Sequence, residues 1–423
     1  MWRVMIAILW GMVSVAVAGD LPTADPADVG LSAEGLADVD AAMQEFVDDE
    51  KAAGILVMVA RRGRIAHVQT FGQMDIEAEK PMRRDAILRF YSMTKPITSA
   101  ALLTLYEEGK FELDDPVAKY LPELTGVKVY AGKEDGELRL VDAERPPTIR
   151  DLMCHTAGLT YGFLGGTPVS GMYNDVQLMD RNSSLSAMID KLADLPLAYQ
   201  PGERFHYSIA VDVQGRLIEV LSGMSLDAFF QERIFEPLGM VDTGFYVPSD
   251  KLERFAANYG PRRGGGLQVI DAPQDSAYLS PPGLFSGGGG LVSTADDYMR
   301  FAQMLLNRGE LDGARILKPE TVDLMTRNHL PEKLIPIRLS IRQMDHTGFG
   351  LGLSVRVDRD DDEPAGVVGE YGWGGAASTF FSVAPKEELI GLVLTQYMPL
   401  RIDLAEAFRV KLYDAMAESL TGD

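Results

Sequence analysis

The sequence predicts an α/β (α+β) fold: an antiparallel sheet built from both chain ends, flanked by helices, with an inserted, mostly helical domain. Three observations carry this. β-rich runs cluster before residue 92 and again in the last hundred residues; strand signals thin between about 110 and 290; and a helical pattern borders each β-rich end. At 423 residues the chain is long enough for more than one domain at roughly 150 residues each. Hydrophobic residues at 46% and charged residues at 24% exclude a disordered or fibrous chain. The 62 acidic and 40 basic residues give a net charge of -22, which excludes nucleic acid and anionic membrane surfaces as partners, because such binding relies on Lys and Arg.

Arg3, an apolar stretch at 4–15 and Ala16-Val17-Ala18 together read as a secretory signal peptide, with cleavage expected after Ala18. The expected product is exported, periplasmic or secreted. The apolar run falls short of the roughly 20 residues that span a bilayer, so no stable membrane insertion is expected after its removal. Cys154 is the single cysteine, which rules out an intrachain disulfide and leaves it a core position beside Met153.

Residues 32–50 place Leu36, Val39, Met43, Phe46 and Val47 on one helical face. Gly54 opens a strand at 55–60, Arg61-Arg62-Gly63 turns it, and 65–71 returns as a hairpin. A short strand at 87–91 runs into a helix beginning near Ser92 and ending at Gly109, a C-cap glycine. Helices are predicted at 148–153, 185–194, 208–221 and 226–234, and another at 294–307, with Ser293 as N-cap and Gly309 closing it. Strands follow at 349–357, 367–371, 377–384 and 389–397, before a terminal helix at about 403–419. The acidic run at 360–363, followed by Pro364, reads as a solvated hairpin turn. The expected organisation is a leader at 1–18, a discontinuous sheet domain at 19–98 and 287–423, and a helical domain at 99–286.

Several chemistries lack their signatures. There is no G-x-S-x-G elbow, H-E-x-x-H, C-x-x-C, G-x-G-x-x-G or Walker loop, so no metal or other cofactor is expected. What is present is Ser92-Met93-Thr94-Lys95, the only S-x-x-K, placed where the β-rich run gives way to a helix. Residues three apart on a helix share a face, about 4.5 Å apart along the axis, so the amine can reach the hydroxyl. Serine is a weak nucleophile until a base takes its proton. Lysine serves only if burial lowers its pKa from about 10.4 towards neutrality, and the helix N-terminus favours the anion that forms. Tyr207-Ser208-Ile209 follows Pro201-Gly202 at a helix start, where a phenol can share that proton. Trp373-Gly374-Gly375-Ala376 enters a late strand, where glycines let backbone amides approach an oxyanion. Taken singly, each has an ordinary structural reading: an N-capping serine with an exposed lysine, a packed tyrosine, a β-bulge.

In this order the three boxes, with flanks at 152–159, 195–207, 287–297 and 373–396, resemble the serine β-lactamase and penicillin-binding superfamily. Within it the chain looks most like the family VIII carboxylesterases related to class C β-lactamases. The resemblance implies that Ser92 is the acylated nucleophile, Lys95 its base and Tyr207 the proton relay. It further implies that the amides of Ser92 and Ala376 form the oxyanion hole and that Trp373, Gly374, Gly375 and Ile209 bind substrate. His346-Thr347-Gly348 is then a decoy for the third box. Two departures shape the expected substrate: Ile209 replaces an asparagine that holds acylamino groups, and Trp373 replaces a lysine that pairs with carboxylates. Both favour a small, uncharged, short-acyl ester, with weak β-lactam hydrolysis as a side activity. The alternatives are a β-lactamase, D-amino-acid peptidase or acyltransferase using the same nucleophile, and a non-catalytic binding or scaffold protein of the same fold.

Overall fold

The central strand explains the architecture. In the computed structural model, which describes residues 21–339, 342–359 and 366–420, β1 (Gly54–Arg61) is buried at every position. A strand covered on both faces needs no polar alternation. Ile55, Val57 and Val59 pack under the terminal helices, while Leu56, Met58 and Ala60 face the larger core. The predicted leader and the acidic run at 360–363 lie outside the described residues.

Eight strands form the main antiparallel sheet. With β2 (Arg64–Asp75), β3 (Lys80–Pro81), β4 (Thr347–Phe349), β5 (Ser354–Arg356), β6 (Tyr371–Gly375), β7 (Thr379–Ala384) and β8 (Leu389–Thr395), the order is β4-β5-β6-β7-β8-β1-β2-β3. The two chain ends meet where β1 pairs with β8, Val57 opposite Val393. One face is covered by α1 (Ala33–Asp48), capped by the Ser32 side chain, and by the terminal helix Ile402–Leu420. On the other face lies α2 (Thr94–Glu107), nearly all of it buried. Beyond it are α3 (Ile149–Met153), α4 (Leu185–Ala193), α5 (Ala210–Ser222) and α6 (Ala295–Leu306). Leu152 and Leu217 from this helical region share one hydrophobic cluster with Leu56 and Leu392 of the sheet. Cys154 is buried, its thiol held against the Gly350 carbonyl.

Several element boundaries differ from expectation, each for a local reason. The strand predicted at 87–91 shrinks to Leu88–Arg89, paired with Val292–Ser293 outside the main sheet, and a 3-10 turn at Tyr91–Met93 precedes α2. The run 349–357 is two strands, because Gly352 (φ 94) reverses the chain between β4 and β5. The strand expected at 367–371 starts at Tyr371, after a turn at Gly369 (φ 94), and runs on through Gly375; the last strand stops at Thr395. Thr294, not Ser293, caps α6, accepting from the Asp297 amide. The helix expected at 208–221 begins at Ala210, and that at 226–234 is α-helical only to Phe230, then π-helical through Phe235. The strand-poor middle contains two hairpins, Lys128–Glu134 with Glu137–Asp142 and Asn258–Pro261 with Leu267–Asp271. The first is largely solvent-facing, so it carries no apolar alternation to read.

Candidate active site

Ser92 stands in the 3-10 turn, just before α2, after Tyr91 in the left-handed region (φ 42). For a bulky residue that conformation persists only when the surroundings enforce it. Here they do. The Tyr298 hydroxyl donates to the Met93 carbonyl (2.9 Å), and Gln396 accepts from the Arg89 amide (2.9 Å) and donates back to the Arg89 carbonyl (3.1 Å). The turn is thus pinned on both sides of the hydroxyl.

Lys95 lies in the first turn of α2, 1% exposed. Its Nζ donates to Ser92 Oγ (3.1 Å) and to the Gly288 carbonyl (2.6 Å). The Tyr207 hydroxyl donates to the same Ser92 Oγ at 2.6 Å. The structure therefore brings Ser92, Lys95 and Tyr207 together around one oxygen. The amine also lies 4.5 Å from the Tyr207 ring centre and 5.4 Å from that of Tyr161, so two aromatic faces help replace its water. Behind Tyr207 packs His155, its ring centre 4.9 Å away and its Nδ1 beside Ser208 Oγ (3.2 Å). Burial, and then the Lys95 charge, hold that imidazole well below its ordinary range, which keeps it neutral.

The third box approaches from the sheet. β5 pairs with β6 only at Ser354–Gly372 and Val355–Tyr371, so Trp373–Gly375 runs past the end of β5. This free half reaches the nucleophile turn: a Cβ on Gly375 would collide with the Phe90 carbonyl and with Thr379 Oγ1. Only glycine permits that approach. Gly374 and Ala376 are half-buried on either side of Gly375. Trp373 packs its ring 5.7 Å from Tyr207 and 5.3 Å from Phe349. His346 sits in the turn before the edge strand β4, which lies two strands from β6 in the sheet.

Ile209, expected to touch substrate, has its side chain 0% exposed within the core at the start of α5.

Other groups at the site escape sequence reasoning. Asp212, in the first turn of α5 and 0% exposed, accepts at Oδ1 from Ser286 Oγ (2.5 Å) and the Gly288 amide (3.0 Å). The segment 287–291 is stitched to α2 as well: Thr98 donates to the Gly287 carbonyl, and Thr94 Oγ1 accepts from the Leu291 amide. Burial, and next the Asp212 carboxylate, push the Tyr161 phenol well above its ordinary range. Stacked on Tyr161 at 4.7 Å is Phe163, 75% exposed. The available signals were the four consecutive glycines after Ser286 and an acid beside the apolar stripe of a predicted helix.

A serine hydroxyl in contact with a buried amine and a phenol, beside a glycine strand of an antiparallel sheet, defines the class of serine hydrolases with the β-lactamase fold. A family model described as Beta-lactamase matches residues 39–415, and the chain belongs to that family. It is 38% identical over 383 residues to an uncharacterized protein of Mycobacterium tuberculosis, covering 87% of this chain and 92% of that one. Esterase EstB of Burkholderia gladioli is 35% identical over 298 residues, 65% of this chain and 71% of its own. Among solved structures, EstCE1, described as a hydrolase with promiscuous acyltransferase activity, superposes with a TM-score of 0.76 at 27% identity, covering 90% of this chain and 98% of that one.

Proposed function

We propose that the protein is an exported carboxylesterase that hydrolyses small, uncharged, short-acyl esters through an acyl-enzyme on Ser92. The observation that carries this reading is the convergence of Lys95 Nζ (3.1 Å) and Tyr207 Oη (2.6 Å) on Ser92 Oγ, beside a third box that begins with Trp373 instead of a cation. Ser92 Oγ attacks the ester carbonyl carbon while the Lys95 amine takes its proton. The oxyanion is held by the amides of Ser92 and Ala376. As the C–O bond to the alcohol breaks, the proton passes through Tyr207 to the departing oxygen. Water then attacks the acyl-enzyme, gives its proton back along the same route, and releases the acid and free Ser92.

The walls support this substrate class. Trp373, Tyr207 and Tyr161 offer aromatic surface, and a substrate carboxylate finds no cation at position 373. Ester chemistry in EstB, and acyl transfer in EstCE1, agree with the same first half-reaction. Transfer to an alcohol in place of water is the second reading, favoured by that EstCE1 likeness.

The expected result of a substrate panel is kcat/KM for p-nitrophenyl acetate or butyrate at least ~100-fold above that for nitrocefin, because discrimination against an unpaired carboxylate is large. Faster nitrocefin turnover would replace the ester assignment with a β-lactamase one. A rise in ester-exchange product on adding a small alcohol, at the expense of free acid, would favour acyl transfer.

A further inference from the structure

We propose that Asp212 is a positioning residue for Lys95: its carboxylate fixes the Gly288 peptide whose carbonyl holds the lysine amine, and supplies the counter-charge when that amine takes up the serine proton. The inference rests on the acyl-enzyme reading above and deepens it.

The geometry is a relay through one residue. Asp212 Oδ1 accepts from the Gly288 amide (3.0 Å), and the Gly288 carbonyl accepts from Lys95 Nζ (2.6 Å). Ser286 Oγ, on the same Oδ1 at 2.5 Å, fixes the carboxylate's own orientation. Oδ2 is buried without a hydrogen-bond partner. A buried carboxylate oxygen left in this state is costly, and such groups concentrate where a charge is used. Gly288 lets the acid in: a Cβ there would fall 2.5 Å from Oδ2 and 2.9 Å from the Tyr161 hydroxyl. Burial raises Asp212 above the usual carboxylate range, opposed by Ser286, Lys95 and the Gly288 amide, all of which favour the anion.

The groups around the amine are few. Ser92 faces it from its own turn, Tyr161 from the loop after α3, and Tyr207 from the start of α5, with neutral His155 behind that phenol. Of the groups named, Asp212 is the one acid. When Ser92 gives up its proton, an ammonium forms in a site shielded from water, and an anion across one peptide stabilises it.

The test is the pH profile of p-nitrophenyl butyrate hydrolysis. Asp212→Asn keeps an oxygen acceptor for Ser286 and Gly288, removes the charge and puts an amide NH2 in place of Oδ2. Because an anion beside the amine favours its protonated form, Asp212→Asn should move the acid limb of kcat/KM to lower pH by about one unit, with kcat reduced about 10-fold. A profile superposable on wild type, with kcat within about twofold, would overturn the proposal. Ser286→Ala gives a second reading should Asp212→Asn fold poorly: kcat falls with KM kept, whereas unchanged kcat counts against the relay. Labelling of wild-type Ser92 by a fluorophosphonate separates the two levels. An unlabelled wild type removes the acyl-enzyme reading itself, whereas a labelled wild type with an unmoved Asp212→Asn profile removes only the role of Asp212.

Discussion

Ser92→Ala lowers kcat for p-nitrophenyl butyrate by at least ~10³-fold, since members of a nucleophile–base unit each cost most of the activity when removed. The substitution deletes one oxygen, the acceptor shared by Lys95 and Tyr207. Lys95 keeps its bond to the Gly288 carbonyl and the Tyr298 clamp on Met93 is untouched, so the stability change should stay near 1 kcal/mol. Steady-state kinetics beside a thermal melt check both halves. A folded variant retaining a tenth or more of wild-type activity would show that another group is acylated.

Lys95→Met has the second large effect. Methionine fills a similar buried volume without the amine, so the base is lost while packing is approximately kept, and kcat/KM should fall by ~10³-fold or more. Stability is set by opposing effects. The Gly288 carbonyl loses its donor, costing about 1–3 kcal/mol, but an amine no longer has to be desolvated beneath two aromatic rings. The melting temperature should therefore move by about 5 °C or less. A large loss of stability with substantial residual turnover by the folded fraction would mark Lys95 as a structural residue.

The parts of this molecule legible in the sequence are those fixed by local spacing. β1 and β8 are continuous apolar runs because both faces of the central sheet are covered, and such runs announce themselves. Ser92 and Lys95 are three residues apart, a distance that either a 3-10 turn or an α-helix keeps on one side, so the pair survives the misplaced helix start. The illegible parts depend on chain segments far apart in sequence. Asp212 in a helix's first turn reads as a surface acid matched to the dipole. Only the arrival of Ser286 and Gly288, more than seventy residues later, buries it. Ile209 sits in a box that the family resemblance marks as a substrate contact, yet the core closes over it. The split between β4 and β5 needs a left-handed glycine, which the apolar pattern of 349–357 does not mark.

Trapping the covalent intermediate is the most direct test. Wild-type protein mixed briefly with a slowly released ester and quenched in acid should gain the mass of one acyl group, and peptide mapping should place it on Ser92, with none on Ser92→Ala. Ester turnover with the acyl mass on a different residue, or with Ser92 unmodified throughout, would contradict the account.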